Sequence, residues 1–211
     1  MPVESLEVSS GGPGLISLLG RAVGLDAAAS ARFRTLVDGS IDVFVTTPFE
    51  VTASRRITGS VSRDGAVVSA ADLLGAVQTG ARSIGPARDP NWPGALPPDK
   101  GFELVDTLPV TVVRQLADDG QNLARQFSGP MGPPASLLNQ TVITVEGGGH
   151  SVEVPMRMVF TCTSLGLIPG FAAAMDIPRH LRVSTAGRWV RIDAPFGTVY
   201  RSTGLGNVLA L

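Results

Sequence analysis

The chain has one cysteine, two histidines, one lysine and one tyrosine among 211 residues, and each shortage excludes something. A single thiol, Cys162, forms no intramolecular disulfide and fits a reducing compartment. A structural zinc site needs four Cys or His groups at short fixed spacings; His150, Cys162 and His180 do not have them, so no metal site is expected. No stretch reads as a phosphate-binding loop, a dinucleotide fingerprint, a nucleophile elbow or a metalloprotease helix. The Gly204-Leu205-Gly206 pair follows a strand, but too little chain follows it for a phosphate-holding helix. Catalytic residues and cofactors are therefore both expected to be none. Charge of one sign is also missing: 17 basic and 18 acidic residues leave a net charge of −1, which gives weak long-range steering toward nucleic acid or an anionic membrane. No apolar run is long enough to cross a bilayer, and the acidic start at Met1-Pro2-Val3-Glu4 is unlike a secretion signal. A soluble cytoplasmic protein is expected.

What is present is an apolar, arginine-based chain. Hydrophobic residues make up 44% and charged residues 17%, enough apolar surface to exclude wholesale disorder. Every cation except Lys100 is arginine. With the wealth of Ala, Gly, Val and Pro, this points to the coding bias of a high-GC bacterium, an actinobacterial source. The competing account is that the arginines hold carboxylates or phosphates in bidentate pairs.

Elements follow from periodicity and punctuation. Leu15, Ile16, Leu18, Leu19 and Val23 predict a short helix ending at Gly20 or Gly24. Asp26 reads as the cap of a second helix over 27–37 with Phe33, Leu36 and Val37 inward. Strands are expected over 41–46, 49–57 and 66–68. Ser69 and Asp72 then open a helix carrying Leu73, Leu74 and Val77. Residues 85–101 read as one long loop. Thr107 and Pro109 start the strongest helix, through Phe127, with Gly120 as a bend, and a second loop runs from Ser128 to Pro134. Gly147-Gly148-Gly149 turns a hairpin whose return strand is read as Val152 through Cys162. The tail reads as a meander over 180–185, 188–193 and 198–202. Strands and helices in blocks give an α+β class: mainly antiparallel sheet built from β-meanders and a hairpin, with three to four packing helices. One domain over 1–211 is expected. The similar turns Thr47-Pro48-Phe49 and Ala194-Pro195-Phe196 allow two pseudo-related halves, about 1–101 and 102–211.

Strand parity locates the candidate site. If Leu181, Val183, Val190, Ile192 and Val199 face the core, then Arg182, Trp189, Arg191, Asp193, Thr198 and Tyr200 share the other face. Trp, Tyr and two Arg in one strip form a binding surface, or else a sheet face covered by a helix. Trp92, in the proline-rich loop beside Arg88 and Asp89, either belongs to a docking loop or pins the loop. Cys162 reads as core rather than as a nucleophile. His150 at a hairpin tip and His180 at a strand start read as surface residues. Arg55, Arg56 and Arg63 suggest either edge protection or an anion site. Asp118 and Asp119 read as a solvated helix face.

The leading expectation is a non-catalytic binding or interaction protein. Its binding residues are Trp189, Arg191, Arg182, Tyr200 and Trp92. Its partner is a protein or a small anionic ligand, with no nucleic acid and no membrane, and its apolar content points to a homodimer. Two alternatives stay open: an enzyme acting on a small anionic metabolite, and a transcriptional regulator with a C-terminal winged element. The second lacks a basic recognition helix, since the segment from Phe171 to Ile177 is short and carries Asp176.

Overall fold

The computed structural model describes residues 2–127, 133–170 and 172–203. Phe171, most of the Ser128–Pro134 loop and the Gly204-Leu205-Gly206 motif lie outside the described residues. The chain folds as α+β with mostly antiparallel strands and, among the described residues, five α-helices, in two compact units, Met1–Ala95 and Leu96–Leu211.

The first unit contains β1 (Val3–Ser10), α1 (Gly12–Leu25), β2 (Ser30–Thr35), β3 (Ser40–Val45), β4 (Thr52–Val61), β5 (Val67–Ser69), α2 (Ala70–Thr79) and β6 (Ser83–Pro86). All its strand pairs are antiparallel: β5 with β2, β2 with β3, β3 with β4, β4 with β1 and β1 with β6. Helices α1 and α2 pack together. The Ser69 hydroxyl accepts from the Asp72 N–H and starts α2 at the expected residue.

The helix expected over 27–37 is instead β2. Asp26 does not open a helix. It ends α1, and its carboxylate accepts the Ala28 N–H in a local turn. Beyond it Ala31 and Phe33 are fully buried while Arg32 and Arg34 are not, a period of two. Val37 is 95% exposed. In β3 both faces are buried, with Phe44 on one and Ile41, Val43 and Val45 on the other, so Phe44 interrupts the pattern without breaking the strand. The segment read as one loop over 85–101 begins inside β6 and holds a 3-10 turn at Asp89–Asn91.

The second unit contains β7 (Glu103–Pro109), α3 (Val110–Phe127), α4 (Ala135–Asn139), β8 (Thr141–Gly147), β9 (His150–Pro155), α5 (Met156–Ser164), β10 (His180–Ala186), β11 (Trp189–Ala194) and β12 (Gly197–Ser202). Its sheet runs β7-β10-β11-β12, and β8–β9 form a separate hairpin. The tail meander lies where expected. Thr107 is not a helix cap: it pairs with Arg182 inside β7, and Pro109 ends that strand immediately before α3.

The return strand expected to reach Cys162 stops at Pro155, and Met156–Cys162 is helical. Every residue from Met156 to Cys162 is buried, so alternation of Met156, Met158, Phe160 and Cys162 carries no information about period. Gly120 allows close packing, because a Cβ there would press on Met156 and Phe160 where α3 meets α5. Cys162 is fully buried, and burial pushes its thiol up to about 12.

Candidate aromatic and arginine surface

The meander positions its strip by register. Leu181, Val183, Val190, Ile192 and Val199 are all buried. On the opposite face three cross-strand rows stand side by side: Arg182–Asp193–Thr198, Ser184–Arg191–Tyr200 and Ala186–Trp189–Ser202. The structure therefore brings Arg182, Trp189, Arg191 and Tyr200 onto one face.

The middle row is the most organised. The Arg191 guanidinium lies 4.4 Å from the centre of the Phe102 ring, and Phe102 meets Tyr200 edge-on with centroids 6.1 Å apart. Its Nη2 is 3.0 Å from the Asp193 carboxylate, which also accepts from the Thr198 hydroxyl at 3.1 Å. A flat cation held between a ring and a carboxylate loses little freedom when it meets a further acceptor. Among the described residues Arg191 Nε is buried with no hydrogen-bond partner, so the guanidinium is held by stacking and by one edge. Arg182 is exposed and Trp189 half-exposed, while Tyr200 is buried. Phe102 was not among the residues the sequence singled out: it is the single residue between Gly101 and β7, outside any periodic segment.

Trp92 belongs to the first unit. It is 8% exposed, with the Arg32 guanidinium 5.9 Å from its ring centre. Its segment is pinned by charge. Arg63 donates to Asp89 at 2.8 Å and to the buried Glu4 at 2.8 Å, and Asp89 also accepts the Val67 N–H. The Arg63 guanidinium beside Asp89 holds that carboxyl below the usual carboxylate range.

Arg55, Arg56 and Arg63 do not converge. Arg56 makes a two-point contact with Asp42, Arg63 is taken by Glu4 and Asp89, and Arg55 lies against Gly14 in the first turn of α1. His150 is 3.0 Å from Glu103, tying the hairpin tip to the start of β7. His180, Asp118 and Asp119 are exposed. Among the described residues no group of three metal-ligating side chains exists, and no helix is long and apolar enough to cross a membrane.

The chain belongs to the family described as a domain of unknown function, DUF8185, which matches residues 97–206. A second domain of unknown function, DUF8010, matches residues 9–94. The two matches fall one in each compact unit. No curated protein matches. Among solved structures, the chain is similar to the DNA polymerase sliding clamp of Pseudomonas aeruginosa (TM-score 0.57, 10% identity, 98% of this chain and 66% of that one). It is also similar to the Bartonella birtlesii DNA polymerase III beta-subunit clamp bound to griselimycin (0.55, 12%, 97% and 66%). A third is the Helicobacter pylori beta clamp bound to a DNA ligase peptide (0.53, 10%, 98% and 70%). The chain thus has a sliding-clamp-like fold and spans about two-thirds of the length of these clamps.

Proposed function

We propose that this protein is a non-catalytic interaction protein that uses a sliding-clamp-like fold to present a docking surface to a protein partner. The surface is the Arg182, Trp189, Arg191 and Tyr200 strip with Phe102. The observation that supports it most is the Phe102–Arg191–Asp193 arrangement, in which an arginine is held in one geometry by an aromatic ring and a carboxylate. Fixed aromatic and arginine groups are the residue types that dominate binding energy at protein interfaces. The fold likeness supports the same reading, since one of the similar clamps carries a DNA ligase peptide. The setting in this reading is the cytoplasm of a high-GC bacterium, with the chain able to self-associate as a homodimer.

Native mass spectrometry and crosslinking of the gently purified chain test it. An added protein mass is expected, lost in Trp189→Ala and Arg191→Ala variants that remain folded. Partner binding that survives both substitutions sinks the strip as the site. A small-molecule adduct in place of a protein favours an anionic ligand. Retention of DNA that falls steeply with salt replaces the reading with a nucleic-acid one; a net charge of −1 argues against it.

A further inference from the structure

A second docking place lies in the first unit. A groove of about 520 Å³ is bounded by β1, the start of α1 and the end of α2, with Val8, Pro13, Ile16, Val77 and Arg82 in its wall. Its shape comes from an interrupted strand lane. β6 runs antiparallel to β1 and pairs at Val3 and Ser5, and the Leu6 N–H still donates to the Arg82 carbonyl at 2.9 Å. Before Arg82 the chain leaves that lane, because Gly80 closes α2 in the left-handed region, at φ 69°. β1 itself continues to Ser10 with its other edge paired to β4.

The direction of the free main chain follows from parity. The Ser62 N–H donates to the Ser5 carbonyl, so Ser5 and Glu7 turn their main-chain groups toward β4. Leu6 turns its groups toward β6, and so does Val8. Opposite Val8, among the described residues, there is no strand. The bulge follows only at Ser9. Val8 therefore offers one N–H and one C=O into the groove, the pattern that accepts a peptide strand.

We infer that this groove takes an extended, uncharged segment of a partner protein, added to β1 in the lane that β6 vacates and bonded to Val8 through both main-chain groups. Continuity with the existing β1–β6 pairing sets the occupant's conformation. Electrostatics sets its composition: the charged side chains of the wall, Glu7 and Arg82, are paired at 3.0 Å on the rim, so the groove carries no unspent charge. Ile16 and Val77, both half-exposed on facing helices, give an apolar side chain of the segment its contact.

The test is selection of a random nonapeptide display library on the full chain, followed by amide exchange with a selected peptide bound. Peptides are expected to be alternating and uncharged, and to slow exchange at Val8 at least tenfold. Val8→Pro removes the N–H that faces the groove without touching a β1–β4 bond and should weaken binding at least tenfold. Val77→Lys, at a half-exposed helix position, gives the same loss without a backbone change. Recovery of no peptide, unchanged exchange at Val8, or peptides that bind both variants equally overturns the inference. A dimer that Val8→Pro dissociates also overturns it, in favour of a second copy. Strip variants at Trp189 and Arg191 should leave peptide binding unchanged, so the two readings fail separately.

Discussion

Arg191 rests over the ring of Phe102, 4.4 Å from its centre, and these two residues come from opposite ends of the second unit's chain. Phe102 lies in a short irregular step, and Arg191 pairs with Asp193 at 3.0 Å. Their coupling should be measurable. In a double-mutant cycle with Phe102→Ala and Arg191→Ala, urea unfolding is expected to give an interaction energy of about 0.5–1 kcal/mol, typical of a partly exposed cation–ring pair. Arg191→Lys should recover little of it, because an ammonium does not stack. A coupling near zero would mean that the ring is only a neighbour.

Gly147 tests how the β8–β9 hairpin meets β7. A Cβ at Gly147 would run into the Val105 carbonyl, which is backbone and cannot swing aside. Gly147→Ala should cost about 1–3 kcal/mol. Gly20, exposed in α1 with open space around it, is the contrast: Gly20→Ala should stabilise by up to about 1 kcal/mol through helix propensity. Thermal unfolding of the two variants should move in opposite directions.

Arg63 joins two carboxylates of different exposure, Glu4 almost fully buried and Asp89 about half exposed. Removing Arg63 leaves Glu4 buried with the Ser62 hydroxyl still donating to it. Arg63→Ala is expected to cost roughly 2 kcal/mol, mostly from the Glu4 desolvation that is no longer offset. Asp89 has its pKa lowered, first by Arg63. A lowered acid contributes stability that is present above its unfolded value and is lost as pH falls through the folded one. Acid titration below pH 4 should therefore release the Trp92 segment. Emission from Trp92 in a Trp189→Phe background reports it, and Asp89→Asn should remove that transition.

Cys162 should be inert. Its thiol is pushed up to about 12 by burial, so almost no thiolate exists at pH 8. Alkylation should be undetectable in the folded chain and immediate in denaturant. The linkage has a definite sign. An unfolded thiol ionises near 9 and the folded one near 12, so the unfolded state holds fewer protons between these values, and stability falls as pH rises through that window. Cys162→Ala should flatten this alkaline slope. A native thiol that reacts at pH 8 would show that α5 opens readily.

Local patterns and long-range contacts contributed differently to what could be read. The tail meander was legible because one of its faces is buried throughout and the other only in part: Val190 and Ile192 alternate with Trp189 and Arg191, and Ala186-Gly187 and Pro195 mark the turns. The same parity placed Arg182, Trp189, Arg191 and Tyr200 on one face, four of the five residues expected to bind. The start of α2 was legible because Ser69 and Asp72 satisfy a helix end within three residues. The shortage of cysteine and histidine needed no structure at all. Tertiary structure decided the rest. Met156–Cys162 is a helix buried all round, so no period in its sequence separates helix from strand. Residues 30–35 are a strand because β3 and β5 flank them, although Asp26 and the alanines after it suit a helix. Phe102 reaches Arg191, Trp92 rests under Arg32, and Val8 faces an empty lane through chain closure over long separations. A pattern of residues records which face is dry only where the other face is wet; which distant side chain or strand lies against it is set by packing, and packing is decided by the whole fold at once.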